Sequence, residues 1–161
     1  MTDDPSEERA AAQEVLSTGA RFDVLEKLYT EEQRQSVLRG TRAADALARA
    51  QLQIRGPIRW QDGELYAGDL RIAGDTEIVD FVKEETGFGY TIFRENVRIA
   101  TNAIAEGGSG RALGTQTNDE VTEKVYRGGE TFLGVTRTIG KDWVIRYSPL
   151  RTEDGEIVGM I

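Results

Sequence analysis

The stretch that most constrains this chain is Tyr90-Thr-Ile-Phe-Arg-Glu-Asn-Val-Arg-Ile-Ala-Thr-Asn102. Two short apolar runs, Tyr90 to Phe93 and Val97 to Asn102, flank Arg94-Glu95-Asn96. Tyr, Thr, Ile, Phe and Val favour an extended, half-buried backbone, and Glu-Asn tolerates a tight turn, so the stretch reads as a β-hairpin. Its second strand carries Arg98 and Thr101 in otherwise apolar surroundings. An Arg there either points to water, paired with an acid on the outer face, or is held for something anionic.

The rest of the chain supplies partners for that hairpin. With 161 residues it can hold one domain with a real core plus an added helical segment. Phe22, Leu25, Leu28 and Tyr29, then Ala43, Ala44, Leu47, Ala48 and Leu52, recur at three- and four-residue spacing. Residues 7–53 therefore read as one or two helices, with Gly40 allowing a break. From Gly56-Pro57 to Gly74-Asp75 the turn signals come close together, which predicts looped chain with short strands. A short helix is expected over 77–85, capped by Asp75 or Thr76 and stopped by Gly87. A second is expected over 119–126, capped by Thr117 or Asn118 and stopped by Gly128-Gly129. Three strands follow, 131–139, 143–150 and 156–161, the last two joined through Asp154-Gly155. Two strands, a helix and three more strands give an α+β meander of five antiparallel strands with helices to one side, the pattern of PAS-like sensor domains.

Composition narrows the chemistry. The formal charge of −8 argues against nucleic acid or an anionic membrane as partner. The chain has neither Cys nor His. That excludes disulfides, thiolate catalysis, His-based triads and His-ligated zinc or haem. No cofactor or metal is expected. Asp80 and Glu84, four apart on a predicted helix, form the nearest thing to a catalytic pair, but such acids usually make a solvated face or cap; the chain reads as a binder and not an enzyme. The Gly-rich loop from Glu106 to Thr115 lacks the Lys-Ser/Thr of a phosphate-binding P-loop and reads as a flexible connection. No apolar run reaches membrane-spanning length. The abrupt stop at Gly159-Met160-Ile161 suggests a boundary with an output module or membrane helix beyond it.

Residues 63–161 resemble the Cache domains, specifically the single-Cache sensors of methyl-accepting chemotaxis proteins and related kinases and cyclases. The resemblance is carried by Asp62-Gly63-x-Leu65-x-x-Gly68-Asp69, Ile78-Val79-Asp80, Thr86-Gly87 and Thr91-Ile92-Phe93. It continues through Arg98-Ile99-x-Thr101-Asn102, Gly110-Arg111-Ala112-x-Gly114-Thr115 and Val121-x-x-x-Val125. It ends with Gly129-x-x-x-x-Gly134, Tyr147-x-Pro149-Leu150 and Asp154-Gly155-x-Ile157-x-Gly159. It implies a PAS-like five-stranded sheet on a long N-terminal helix, with short covering helices and a small-molecule pocket on one sheet face. Residues 1–53 would be the helical dimerisation or signalling segment and residues 54–161 the sensor domain.

Family members with this pattern bind small organic acids, so the resemblance implies a carboxylate such as acetate, propionate or lactate. Arg98 matches the family's Arg-x-x-Thr position and is the expected anion partner, with Thr101 donating a hydroxyl from the same strand. Tyr147 would supply a second donor. Phe93 and Trp143 would form apolar wall, Thr91 would line the same site, and Arg111 in the Gly-rich loop would close over it. Tyr147 should face the same way as Ile145, leaving Arg146 pointing outward. The expected assembly is a homodimer feeding a downstream output module. The long polar helical lead-in favours a cytoplasmic version, with a periplasmic sensor as the alternative. The competing reading is a PAS-like dimerisation module that binds nothing, with its pocket filled by side chains.

Overall fold

The computed structural model describes residues 30–161. Helix α1 (Glu31–Arg55) opens on a capping box. The Thr30 hydroxyl accepts from the Gln33 N–H at 3.2 Å and the Gln33 side chain accepts from the Thr30 N–H at 2.9 Å. Leu38, Thr41, Ala44, Ala48 and Leu52 recur every three or four residues and form its buried face. The predicted apolar positions Phe22, Leu25, Leu28 and Tyr29 lie outside the described residues. The helix does not break at Gly40. A Cβ there would overlap the Phe88 ring, so this glycine serves a close approach and not a chain reversal.

After α1 the chain forms a small antiparallel sheet of β1 (Ile58–Gln61), β2 (Glu64–Ala67) and β3 (Leu70–Arg71), in that order. Helix α2 (Glu77–Thr86) follows. Its cap is the Asp75 carboxylate, which accepts from the Ile78 N–H at 3.0 Å, and it stops at Gly87 in the left-handed region, φ 78°. The hairpin is β4 (Thr91–Arg94) and β5 (Val97–Thr101), turned by Glu95 at φ 53°. A long connection leads to α3 (Asp119–Val121), which continues as a π-helical turn over Thr122–Arg127. The Asn118 side chain caps it, accepting from the Val121 N–H at 3.0 Å.

Four strands close the fold: β6 (Phe132–Thr138), β7 (Lys141–Tyr147), β8 (Pro149–Arg151) and β9 (Ile157–Met160). The order β5-β4-β9-β8 makes one ladder and β6-β7 another. Ser148, between β7 and β8, exchanges both backbone bonds with Ile161, at 2.8 and 2.9 Å, so the two ladders join through it. The result is a five-stranded PAS-like sheet in which β7 and β8 act as one bent strand. It is not a meander: β9 returns to the middle, between β4 and β8.

The sheet buries both faces. On one side Ile92, Ala100, Leu150, Val158 and Ile161 meet Ala44, Ala48 and Leu52 of α1 and Ile78, Val79 and Val82 of α2. On the other, Phe93, Phe132, Ile145 and Met160 meet Val121 and Val125. A bulge decides what this second face displays. Thr91 pairs with Thr101 and Phe93 with Arg98, so β5 carries one residue more than β4 between those pairs. Residues three apart on a regular strand face opposite ways; the extra residue brings Arg98 and Thr101 to the same face.

Candidate functional site

Arg98 is 1% exposed and ranks with Phe93 among the largest fully buried side chains. Its Nη1 donates to the Thr115 hydroxyl at 3.1 Å and to the Gln116 carbonyl at 3.0 Å. Its Nη2 donates to the Thr138 hydroxyl at 2.7 Å. The guanidinium carbon lies 5.1 Å from the centroid of the Phe93 ring. All three acceptors are neutral, and Nε, buried, has no acceptor among the described residues. A guanidinium removed from water is stabilised chiefly by a hydrogen-bonded counter-anion, and none of these partners supplies one.

The loop after the hairpin holds this arrangement. The Arg98 N–H donates to the Thr115 carbonyl at 2.9 Å and the Gly114 N–H to the Arg98 carbonyl at 2.8 Å. The end of the Gly-rich stretch thus runs beside β5 like an added strand and delivers Thr115 and Gln116 to the guanidinium.

Beside Arg98, Phe93 meets Tyr147 edge-on, ring centroids 5.1 Å apart. Burial pushes the Tyr147 phenol up, with the nearby Arg98 charge pulling the other way, so it stays protonated and able to donate. The Thr91 and Thr101 hydroxyls lie 2.7 Å apart. Trp143 donates its indole N–H to the Thr138 carbonyl at 3.1 Å, and the Lys141 ammonium sits 4.2 Å from the centroid of its ring.

A cavity of about 500 Å³ adjoins this cluster. Thr91, Thr138, Trp143 and Tyr147 line it, whereas Arg98, Thr101 and Phe93 do not. The charged residues on the wall are Lys83, Lys141 and Arg146, all basic, in a chain with 28 acidic and 20 basic residues. A more open groove of about 540 Å³ lies between α1 and β8; it mixes Asp45 with Arg49 and Arg151 and concentrates no one charge.

Arg111 does not line the cavity. Its two terminal nitrogens hold both oxygens of Asp80 at 2.7 Å, and one also donates to the Thr101 carbonyl at 3.0 Å. The same pair engages Asp80, the acid considered with Glu84. Arg146 does not point out to water: its Nε donates to the Thr41 hydroxyl of α1 at 3.3 Å. Gln116, Thr138, Lys83 and Lys141 were not singled out from the sequence; Thr115 was, but only as the last residue of the Gly-rich motif and with no role at the site. Among the described residues no group of three or more acids is placed to hold a metal ion.

Among the described residues no helix is long and apolar enough to cross a membrane. No curated protein and no solved structure matches the chain. The model of single Cache domain 3 matches residues 70–161, from β3 through β9 and more than half of the sequence. Domains of this kind bind small-molecule ligands, serve as sensors of signalling receptors, and are typically extracellular or periplasmic and non-catalytic. The α+β fold, the basic cavity and that match agree, and the chain belongs to the single Cache domain 3 family.

Proposed function

We propose that this domain recognises a small carboxylate, of the size of acetate, propionate or lactate, for a chemoreceptor-type signalling protein. The observation that carries the reading is Arg98, a buried guanidinium with neutral partners and an open Nε. A carboxylate matches the planar fork of a guanidinium and supplies the missing charge. Tyr147 donates a second bond to the acid, the Thr91–Thr101 pair offers a hydroxyl, and Trp143 borders its apolar part, while Phe93 supports the Tyr147 ring edge-on. Lys83 and Lys141 attract the anion to the cavity mouth. In this reading Arg111 acts at a distance, fixing α2 to β5 through Asp80 and the Thr101 carbonyl.

The family's typical setting supports the periplasmic alternative over a cytoplasmic version. Residues 1–53 remain the segment assigned to dimerisation and to passing the signal on, with residues 54–161 as the sensor. A cavity with basic walls favours this reading over a module that binds nothing.

The test is a thermal-shift screen against acetate, propionate, lactate, pyruvate and dicarboxylates, with Arg98→Ala and Tyr147→Phe as controls. A bound acid at a hundred times its Kd stabilises by about 2.7 kcal/mol, a rise of several degrees in Tm. The rise should vanish in Arg98→Ala and shrink in Tyr147→Phe. If no acid moves the parent, or Arg98→Ala responds equally, the carboxylate reading fails.

A further inference from the structure

Strands β6 and β7 pair Phe132 with Tyr147 at one end and Thr138 with Lys141 at the other. Phe132 and Tyr147 belong to the second face of the sheet, and an even step along each strand puts Thr138 and Lys141 on that face too. Thr138 is buried, lines the cavity and accepts from Arg98 Nη2 at 2.7 Å. It joins the cavity to a guanidinium that does not line it.

A hydroxyl has one proton to donate and lone pairs that accept, whereas an arginine can only donate. Arg98 therefore takes up lone pairs of Thr115 and Thr138 and leaves both protons to go elsewhere. Thr115 gives its proton to the Ala112 carbonyl at 2.6 Å and does not line the cavity. The Thr138 hydroxyl makes no bond but the one from Arg98 among the described residues. Its proton has the cavity to point into, and a hydroxyl that accepts from a cation is a stronger donor for it.

The backbone holds this hydroxyl in place. The Trp143 indole N–H donates to the Thr138 carbonyl at 3.1 Å. The next residue, Ile139, stands at φ 50°; of the non-glycine residues with positive φ among those described (Asp62, Glu95 and Ile139), it is the β-branched one. Strain of this kind persists only where the surroundings impose it, and it collects at ligand-holding positions. Across the turn, Lys141 makes no ion pair among the described residues, and it too lines the cavity.

We propose that Thr138 sets the specificity of this site, donating its hydroxyl proton to one carboxylate oxygen while Arg98 holds it from behind. The inference rests on the carboxylate reading. With its lone pair taken by Arg98, Thr138 is a donor only, and the Lys141 ammonium beside it is another. A carboxylate presents acceptors alone, whereas an amide of the same shape brings N–H groups that meet donors there.

The test is calorimetry with acetate, propionate, lactate, pyruvate and succinate on the parent, Thr138→Val, Thr138→Ser and Thr115→Val. Each valine takes one hydroxyl acceptor from Arg98, but only Thr138→Val also removes a donor from the cavity. The best-bound acid should lose at least about tenfold more affinity in Thr138→Val than in Thr115→Val, and Thr138→Ser should stay within about threefold of the parent. With the carboxyl carbon isotopically labelled and the protein saturated, the infrared carboxylate stretch of the bound acid should move in Thr138→Val and hold in Thr138→Ser. Equal losses in the two valine variants, or an unmoved stretch, overturn the assignment; binding that still depends on Arg98 then leaves the carboxylate reading standing. Binding of none of these acids to the parent overturns both. Should Thr138→Val not fold, Thr138→Ala, which also lacks the donor, carries the same comparison.

Discussion

At 1% exposure the Arg98 side chain keeps almost no hydration, and its three acceptors return only part of what was lost. A buried charge held for structure and one held for a ligand respond differently to an apolar replacement. Arg98→Met should leave urea stability without ligand unchanged, or raise it by about 1–4 kcal/mol, because no counter-charge is stranded. The same variant should lose the acid-induced rise in Tm; a large loss of stability instead would make Arg98 a structural residue. Arg111 is the opposite case, since its Asp80 partner is present. The Arg111 bonds hold the Asp80 carboxyl below its ordinary value, against a smaller opposing effect of burial. A depressed acid stabilises the fold above its unfolded value, about 3.9, and that contribution disappears as pH falls through the lower folded value. Both side chains are about a third exposed or more, so the effect is at most about 1 kcal/mol. The difference in urea stability between the parent and Asp80→Asn should be constant near neutrality and shrink below about pH 4; a constant gap down to pH 2 would contradict it. Arg98 was legible in the sequence because a lone charge interrupts an apolar strand. The Arg111–Asp80 pair was not, because 31 residues separate its members and only the fold joins them.

Among the elements, those fixed by local chemistry were legible. The hairpin, the Asp75 cap and the Gly87 stop depend on residues within a few positions of one another. The return of β9 between β4 and β8 was not, because strand order rests on pairings across more than sixty residues (Phe93 with Met160). Nor was the β5 bulge, which adds one residue without a proline or glycine to mark it. Gly159 and Gly40 show how differently one residue type is constrained. A Cβ on Gly159 would run into the Phe93 backbone carbonyl, which cannot yield without parting β4 from β9. One on Gly40 would meet only the tip of the half-buried Phe88 ring, which can turn aside. Gly159→Ala should therefore cost at least about 3 kcal/mol in urea unfolding. Gly40→Ala should fall within about 1 kcal/mol of the parent, the helix-propensity gain offsetting the repacking. Similar losses at both sites would contradict the claim that backbone, and not side chain, limits Gly159.

For the whole molecule, sensing requires that the inner face of the sheet be mechanically joined to α1 on the outer face. Neighbouring residues on a strand point to opposite faces, and the chain on either side of β9, at the start of β4 and the end of β7, uses this. Thr91 and Tyr147 border the cavity near Arg98, while Tyr90 and Ser148 beside them reach α1. The Tyr90 and Ser148 hydroxyls both donate to Asp45, at 3.3 and 3.2 Å. Arg49 reaches the Ser148 hydroxyl at 2.6 Å and the Pro149 carbonyl at 3.1 Å. Burial, and then the Asp45 charge, hold the Tyr90 phenol protonated, so it remains a donor to that carboxylate at any ordinary pH. An acid that shifts Thr91 or Tyr147 on binding therefore shifts donors of Asp45 on the helix side, provided it binds the two states unequally. Asp45→Asn keeps one carbonyl acceptor, and Asp45→Ala leaves the buried Tyr90 hydroxyl without one, costing about 1–3 kcal/mol. In the parent, the best acid from the thermal-shift screen should change hydrogen exchange along α1. In Asp45→Ala that change should fall by at least about half while calorimetric affinity stays within about twofold, a small shift on the free-energy scale; Asp45→Asn should lie between. An undiminished response of α1 in Asp45→Ala would place the coupling elsewhere, at Arg146 and Thr41 or in the apolar contact of Ala44, Ala48 and Leu52 with the sheet.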